Sequence, residues 1–96
     1  MKFELRHYDI VGGSVNDVYV YGIIELETTK TVYNEGTAQE FTETEPSDKQ
    51  IFHGLKNCGF LAKTAKLSQL EFDGDNETIY VNIAKNGEPF CELRKQ

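Results

Sequence analysis

The sequence predicts an α+β fold in which one helix packs on a single antiparallel sheet of about five or six strands, in the order βββ-α-βββ. Three observations support this prediction. Apolar runs with strand character lie on both sides of residue 47, turn signals separate them, and only one segment has a clear helical period. A chain of 96 residues is expected to form a single domain, residues 1–96.

The first strands are predicted at residues 3–10 and 18–26. In the first, the apolar positions change parity between Leu5 and Tyr8, which indicates a bulge near His7. The second is the most β-prone run of the chain, so we expect it to be a central strand. Its better-buried face is expected to carry Val18, Val20, Ile24 and Leu26.

The helix is predicted to begin at Ser47. Ser47 and Gln50 have the spacing of a capping box, and Asp48 suits the positive end of the helix dipole. Ile51 and Leu55 then share an apolar face with Cys58, while Lys49, His53 and Lys56 form the opposite ridge.

The last hairpin is signalled by an Asn-Gly pair at residues 86–87. A two-residue loop would place Val81 opposite Glu92, whereas a three-residue loop, residues 85–87, places Val81 opposite Cys91 and Ile79 opposite Leu93. Only the second register gathers one apolar face, so we expect the bulged turn with Gly87 at positive φ.

Residues 73–77 resemble the start of a calcium loop but lack the later ligands and the closing bidentate glutamate. They serve equally well as a hairpin connection. A four-residue loop, residues 74–77, would pair Phe72 with Ile79 and Leu70 with Val81.

Charge is segregated along the chain. The net charge is −6, and residues 31–48 contain five acidic side chains and no basic one, whereas residues 49–70 contain four lysines and no acid. Residues 37–45 are either a charged edge strand or a loop. Glu40, Glu43 and Glu45, together with the acidic loop at 73–77, are expected to offer a carboxylate surface to a basic partner, although protection of an edge strand is the simpler explanation.

Tyrosines supply a second candidate surface. Tyr19, Tyr21, Tyr33 and Tyr80 are expected to lie on the sheet face away from the helix, where they would contact a partner protein or a second copy. Packing by neighbouring loops is the alternative. The ridge of Lys49, His53 and Lys56 could hold a phosphate group, or it could simply be the solvated face of the helix. An acidic chain is not expected to bind nucleic acid directly.

No arrangement of nucleophile, base or metal ligands emerges from the two histidines and two cysteines, so neither catalysis nor a cofactor is expected. The N-terminus lacks the apolar run of an export signal, and no stretch is long enough to span a bilayer, so we expect a cytoplasmic protein with reduced, buried cysteines.

These features favour a non-enzymatic protein-binding module of the inhibitor, immunity or adaptor type, which occupies the surface of a partner. Two alternatives remain open: a homodimeric structural protein, and a small phosphate-ligand binder that uses the helix ridge. Binding steered by charge weakens with ionic strength, whereas an apolar dimer is nearly insensitive to it.

Overall fold

Four strands precede the helix and three follow it. The computed structural model describes residues 1–35, 38–75 and 77–96, and for residues 30–35 and 38–43 it describes the course of the backbone only. The elements are β1 (Lys2–Val11), β2 (Ser14–Glu25), β3 (Lys30–Glu35), β4 (Ala38–Glu43), α1 (Asp48–Asn57), a 3-10 turn (Leu67–Gln69), β5 (Leu70–Gly74), β6 (Thr78–Ile83) and β7 (Pro89–Lys95).

Five strands form one antiparallel sheet in the order β2-β1-β7-β6-β5. The predicted α+β architecture is therefore confirmed. The predicted element order is wrong in one respect, because β3 was not foreseen and pairs with β4 in a separate two-stranded sheet. Residues 38–43 are thus a strand, but not an edge of the main sheet.

The core lies between α1 and one face of the sheet. Ile51 and Leu55 project from the helix onto Phe3, Leu5 and the strands beside them. Burying such a two-sided apolar layer is the main stabilising contribution available to a small domain. The fully buried side chains are Phe3, Leu5, Leu26, Leu55, Val81, Cys91 and Leu93.

The helix begins as predicted. The Ser47 hydroxyl accepts the backbone N–H of Gln50, and the Gln50 side chain accepts the N–H of Ser47, at 3.2 and 2.9 Å. Both bonds satisfy donors that have no partner within the first helical turn. The capping box fixes where α1 starts and hence where Asp48 lies.

The register of β6 and β7 is confirmed, since Val81 lies opposite Cys91 and Ile79 opposite Leu93. Gly87 has φ +67°, as expected. The turn is nevertheless one residue longer than predicted, because the Ile83 N–H donates to the Glu88 carbonyl. An irregularity between Val81 and Asn82 restores the apolar register.

The register of β5 and β6 differs from the prediction by two residues. Phe72 lies opposite Val81, and Leu70 opposite Ile83. A shift of two keeps every side chain on its face of the sheet, so the apolar layer is preserved although each partner is wrong.

The prediction that β2 is central is wrong, because β2 is an edge strand next to β1 only. Ile24 and Leu26 are buried, but Val18 and Val20 are 39 % and 62 % exposed. The reason is a bulge. Leu5 lies opposite Gly22 and Arg6 opposite Val20, so Tyr21 is the extra residue and reverses the faces of the positions before it.

Candidate functional site

The N-terminus of α1 and the β5–β6 turn enclose a groove of about 330 Å³. Four carboxylates line it: Glu45 before the helix, Asp48 in its first turn, and Asp73 and Asp75 at the turn between the strands. We call this feature the acidic groove. It joins two acidic segments that are far apart in the sequence.

The floor of the acidic groove is apolar. Pro46 and Ile51 approach from the helix side, and Phe72 and Ile79 from the strands. A second hollow of about 500 Å³ follows the β5 edge, shares Asp48, Phe72 and Asp73 with the groove, and adds Glu71. Among the described residues, no lysine or arginine lines either hollow. Of these four apolar residues only Phe72 is partly exposed, so the surface combines negative charge with a small apolar area at Phe72.

Local backbone structure holds two of these carboxylates. Asp73 Oδ1 accepts the N–H of Gly74 at 2.7 Å. Asp75 Oδ1 accepts the N–H groups of Thr78 and Glu77, at 3.0 and 2.8 Å. These N–H donors, Thr78 foremost, lower the pKa of Asp75 below its ordinary value, so the carboxylate stays ionised.

Glu45 lines the acidic groove and also forms an ion pair with Lys95 of β7. Its Oε1 lies 3.7 Å from the Lys95 ammonium, and both side chains are partly exposed. A pair of this kind contributes at most about 1 kcal/mol, so Glu45 remains available to a stronger cationic partner. Of the three predicted glutamates, Glu45 belongs to the groove, whereas the side chains of Glu40 and Glu43 fall outside the described part of the chain.

The expectation of a single tyrosine face is wrong. Tyr80 lies opposite Glu92, on the face away from the helix. Tyr21 lies on the helix side, where its hydroxyl donates to the Cys58 carbonyl at 3.0 Å and its ring contacts Phe60. The bulge at Tyr21 causes this reorientation.

Tyr19 also lies on the helix side. It sits opposite His7, whose ring packs against Phe60 and Phe90. The Tyr33 side chain is outside the described residues. Three of the predicted contact residues, Tyr19, Tyr21 and Tyr80, are about half exposed, but they do not form one surface.

The predicted phosphate ridge is only partly free. Lys49 and His53 are exposed on α1. The Lys56 ammonium instead lies 5.2 Å from the centre of the Phe52 ring and donates to the Ala65 carbonyl at 3.4 Å. Lys56 thus helps to fix the segment after the helix, and phosphate binding stays a prediction.

The cysteines are free, but only Cys91 is fully buried. Burial raises the pKa of the Cys91 thiol to about 12, which disfavours the nucleophilic thiolate at neutral pH. Cys58 is half-buried rather than buried as expected, because it caps the end of α1, where its thiol donates to the Leu55 carbonyl. In the described ranges, no group of three or more His, Cys, Asp or Glu side chains is placed to hold a metal ion.

Sequence reasoning found the acidic segments but missed the apolar floor. Phe72 and Ile79 were correctly placed on the inner face of their strands. Phe72 is partly exposed whereas Ile79 is buried, and how far α1 covers each of them depends on tertiary packing, which local patterns do not encode. The alternation of Asp73 and Asp75 around a turn glycine was the available signal.

Comparisons with protein-family models, with curated proteins and with solved structures found no match to this chain. No helix in the described parts of the chain is long and apolar enough to cross a membrane.

Proposed function

We propose that this chain is a non-enzymatic protein-binding module that covers part of a basic partner's surface, in the manner of an inhibitor, an immunity protein or an adaptor. The observation that carries the proposal is the acidic groove. Carboxylates from two segments that are far apart in the sequence converge there around an apolar floor.

The chemistry of the groove selects a partner segment with both cationic and apolar side chains. Lysine or arginine side chains would pair with Asp48, Asp73 and Asp75, while an apolar side chain between them would cover Phe72. An open groove suits a protein segment better than a small metabolite, which pockets usually enclose. The net charge of −6 would speed the approach of such a partner.

A defined probe tests the proposal. A synthetic peptide of alternating lysine and leucine is titrated into isotope-labelled protein, and amide chemical shifts are followed by NMR. We expect the largest shifts at residues 45–51 and 71–79, with an affinity that falls as salt rises. Shifts spread evenly over the surface would contradict a defined groove.

A pair of matched variants separates the groove from net charge. The groove variant carries Glu45→Gln, Asp48→Asn, Asp73→Asn and Asp75→Asn, which retain the hydrogen-bond acceptors. The control carries Asp9→Asn, Asp17→Asn, Glu27→Gln and Glu88→Gln, which lie outside the groove lining. Both have a net charge of −2, because each loses four of the negative charges that give −6.

We expect the groove variant to bind the peptide on the order of tenfold or more weakly, since each lost charge pair is worth up to about 1 kcal/mol. The control should retain most of the affinity. Equal losses in the two variants would show that binding follows overall charge, and the groove would then have no particular role.

A further inference from the structure

The β1–β2 ribbon carries most of the exposed apolar side chains that the structure describes. Of the eight large hydrophobic residues that are exposed, seven lie in this ribbon: Val11, Val15, Val18, Tyr19, Val20, Tyr21 and Ile23. Apolar surface concentrated in this way usually marks an interaction site.

Three of these residues share the sheet face away from the helix. Phe3 and Leu5 face the core, so Glu4 and Arg6 face outward, and the β2 residues opposite them, Ile23 and Val20, must do the same. Val18, opposite Tyr8, continues this line. We call Val18, Val20 and Ile23 the β2 strip; they are 39 %, 62 % and 55 % exposed.

We propose that the β2 strip binds a second copy of this chain, face to face. The argument for this occupant is charge. Beside the strip lie two acids and two bases, since Arg6 pairs with Glu4 at 2.5 Å and Arg94 pairs with Glu92 at 2.8 Å. This part of the face is neutral, although the whole chain has a charge of −6.

A face with alternating charges complements its own two-fold image. Arg94 of one copy, which is half-exposed, can lie against the partly exposed Glu4 of the other, while the two apolar strips meet. A strongly basic partner would be repelled by Arg6 and Arg94, and a strongly acidic one by Glu4 and Glu92. A second copy avoids both penalties.

The polar part of this face is already ordered in the single chain. Glu92 is 5 % exposed, and it accepts hydrogen bonds from the Arg94 guanidinium and from the Tyr8 hydroxyl. Little side-chain entropy remains to be lost when a second copy covers it.

The mode of contact follows from the irregularities of β2. The extra residues Asn16 and Tyr21 interrupt its pairing with β1, so the outer edge of β2 is not a regular ladder that another strand could extend. On the outer face Val18 and Val20 follow one another without interruption, and the Tyr21 bulge separates them from Ile23.

The available area suits a reversible dimer. The exposed parts of the three β2 strip side chains amount to on the order of 300 Å² per copy, so the polar side chains beside the strip must supply much of the ~800 Å² per partner of a typical specific interface. The acidic groove lies at the opposite edge of the sheet from β2, around the start of α1 and the β5–β6 turn, so a dimer would present two open grooves. A partner with two basic segments would gain affinity from both.

Sedimentation equilibrium on the full chain tests the proposal, at about 300 µM protein and at low and high salt. We expect a monomer–dimer equilibrium that changes little with salt, in contrast to peptide binding at the groove. A wild-type chain that stays monomeric at this concentration would overturn the proposal and leave the strip to a different partner.

Variants locate the contact. Val20→Glu, next to Arg6, and Ile23→Lys, next to Glu4, each add a charge that the single chain can pair. Both should raise the dimer dissociation constant at least tenfold. Tyr19→Glu, on the opposite face, should leave it nearly unchanged. Dissociation by Tyr19→Glu as well would indicate contact through the strand edge and would contradict a face-to-face dimer.

Dilution of the wild-type chain provides a measurement that does not depend on the folding of any variant. Amide shifts of residues 18, 20 and 23 should change with protein concentration, while those of the acidic groove should not. Concentration-dependent shifts confined to the groove would overturn the assignment to the β2 strip.

Discussion

The two edges of the five-stranded sheet differ in length, charge and apolar exposure. β5 has five residues and carries Glu71 and Asp73 on its outward positions. β2 has twelve residues, and its outward positions 18, 20 and 23 are apolar and exposed. One sheet thus ends in an acidic strand on one side and in an apolar strand on the other.

The difference separates two kinds of association. At β5 the carboxylates repel a second acidic chain and attract a cationic segment, so this edge is protected against self-association. At β2 the neutral strip lacks that protection, and bulges limit only pairing along its edge. The two proposed contacts should therefore differ in their dependence on salt: binding at the acidic groove should weaken with ionic strength, and the β2 dimer should not.

The largest expected effect is on the stability of the β5–β6 turn, which lies at the acidic edge of the sheet. Gly74 has φ +135°, and a Cβ at this position would clash with the Thr78 carbonyl oxygen. Gly74→Ala should lower the free energy of unfolding by about 2–4 kcal/mol, because backbone strain and a backbone clash combine. Denaturant unfolding measures this loss.

The matched control lies in the β1–β2 turn. Gly12 has φ +60°, but no heavy atom lies within 4 Å of a Cβ there. Gly12→Ala should cost only about 1–2 kcal/mol, through backbone strain alone. Equal losses at the two turns would show that the β5–β6 turn is no tighter than the β1–β2 turn.

The features that sequence reasoning predicted well are local. The capping box at Ser47 and Gln50 determines the start of α1 without help from the rest of the chain. The pairing of Val81 with Cys91 was also found, since only one register gathers an apolar face, even though the loop length was wrong.

The features that were missed depend on tertiary structure. The run from Val18 to Leu26 has the composition of a central strand, and composition does not reveal the bulge at Tyr21 or the absence of a second neighbour. The acidic groove requires that α1 begin beside the β5–β6 turn, a contact between segments more than twenty residues apart. Only the acidic character of both segments was visible in the sequence.

Alkaline and acidic pH should each lower the free energy of unfolding, through different residues on the two sides of the sheet. On the β1–β7 side, burial raises the pKa of Cys91 to about 12 from an ordinary 9.0. Burial and the neighbouring Glu92 raise the pKa of Tyr8 as well. The folded chain therefore retains protons that the unfolded chain loses, so stability falls as the pH rises through about 9–12.

On the β5–β6 side the sign is reversed. The ionised Asp75 contributes to folding stability above its ordinary pKa of 3.8, and this contribution is lost as the pH falls through its lowered pKa in the folded chain. In thermal melts the Tm should fall at alkaline pH, and Cys91→Val should reduce this fall. The Tm should also fall at acid pH, and Asp75→Asn should reduce that fall. Each kcal/mol of stability corresponds to roughly 4–8 °C of Tm. A melting temperature that is constant from pH 8 to about 11 would contradict the alkaline part.

The smallest expected effect is on peptide affinity, and it compares the removal of a single charge at each of the two edges. Glu71→Gln and Asp17→Asn each remove one negative charge from an exposed position, Glu71 beside the groove and Asp17 on β2. Neither should change the free energy of unfolding by more than about 0.5 kcal/mol.

Glu71→Gln should weaken binding of the lysine–leucine peptide about two- to fivefold, since one exposed charge pair is worth up to about 1 kcal/mol. Asp17→Asn should weaken it by much less, because a charge on the far edge is screened within roughly 10 Å. Isothermal titration at low salt measures both affinities, and identical losses would mean that the β5 edge attracts cations no more strongly than the rest of the surface.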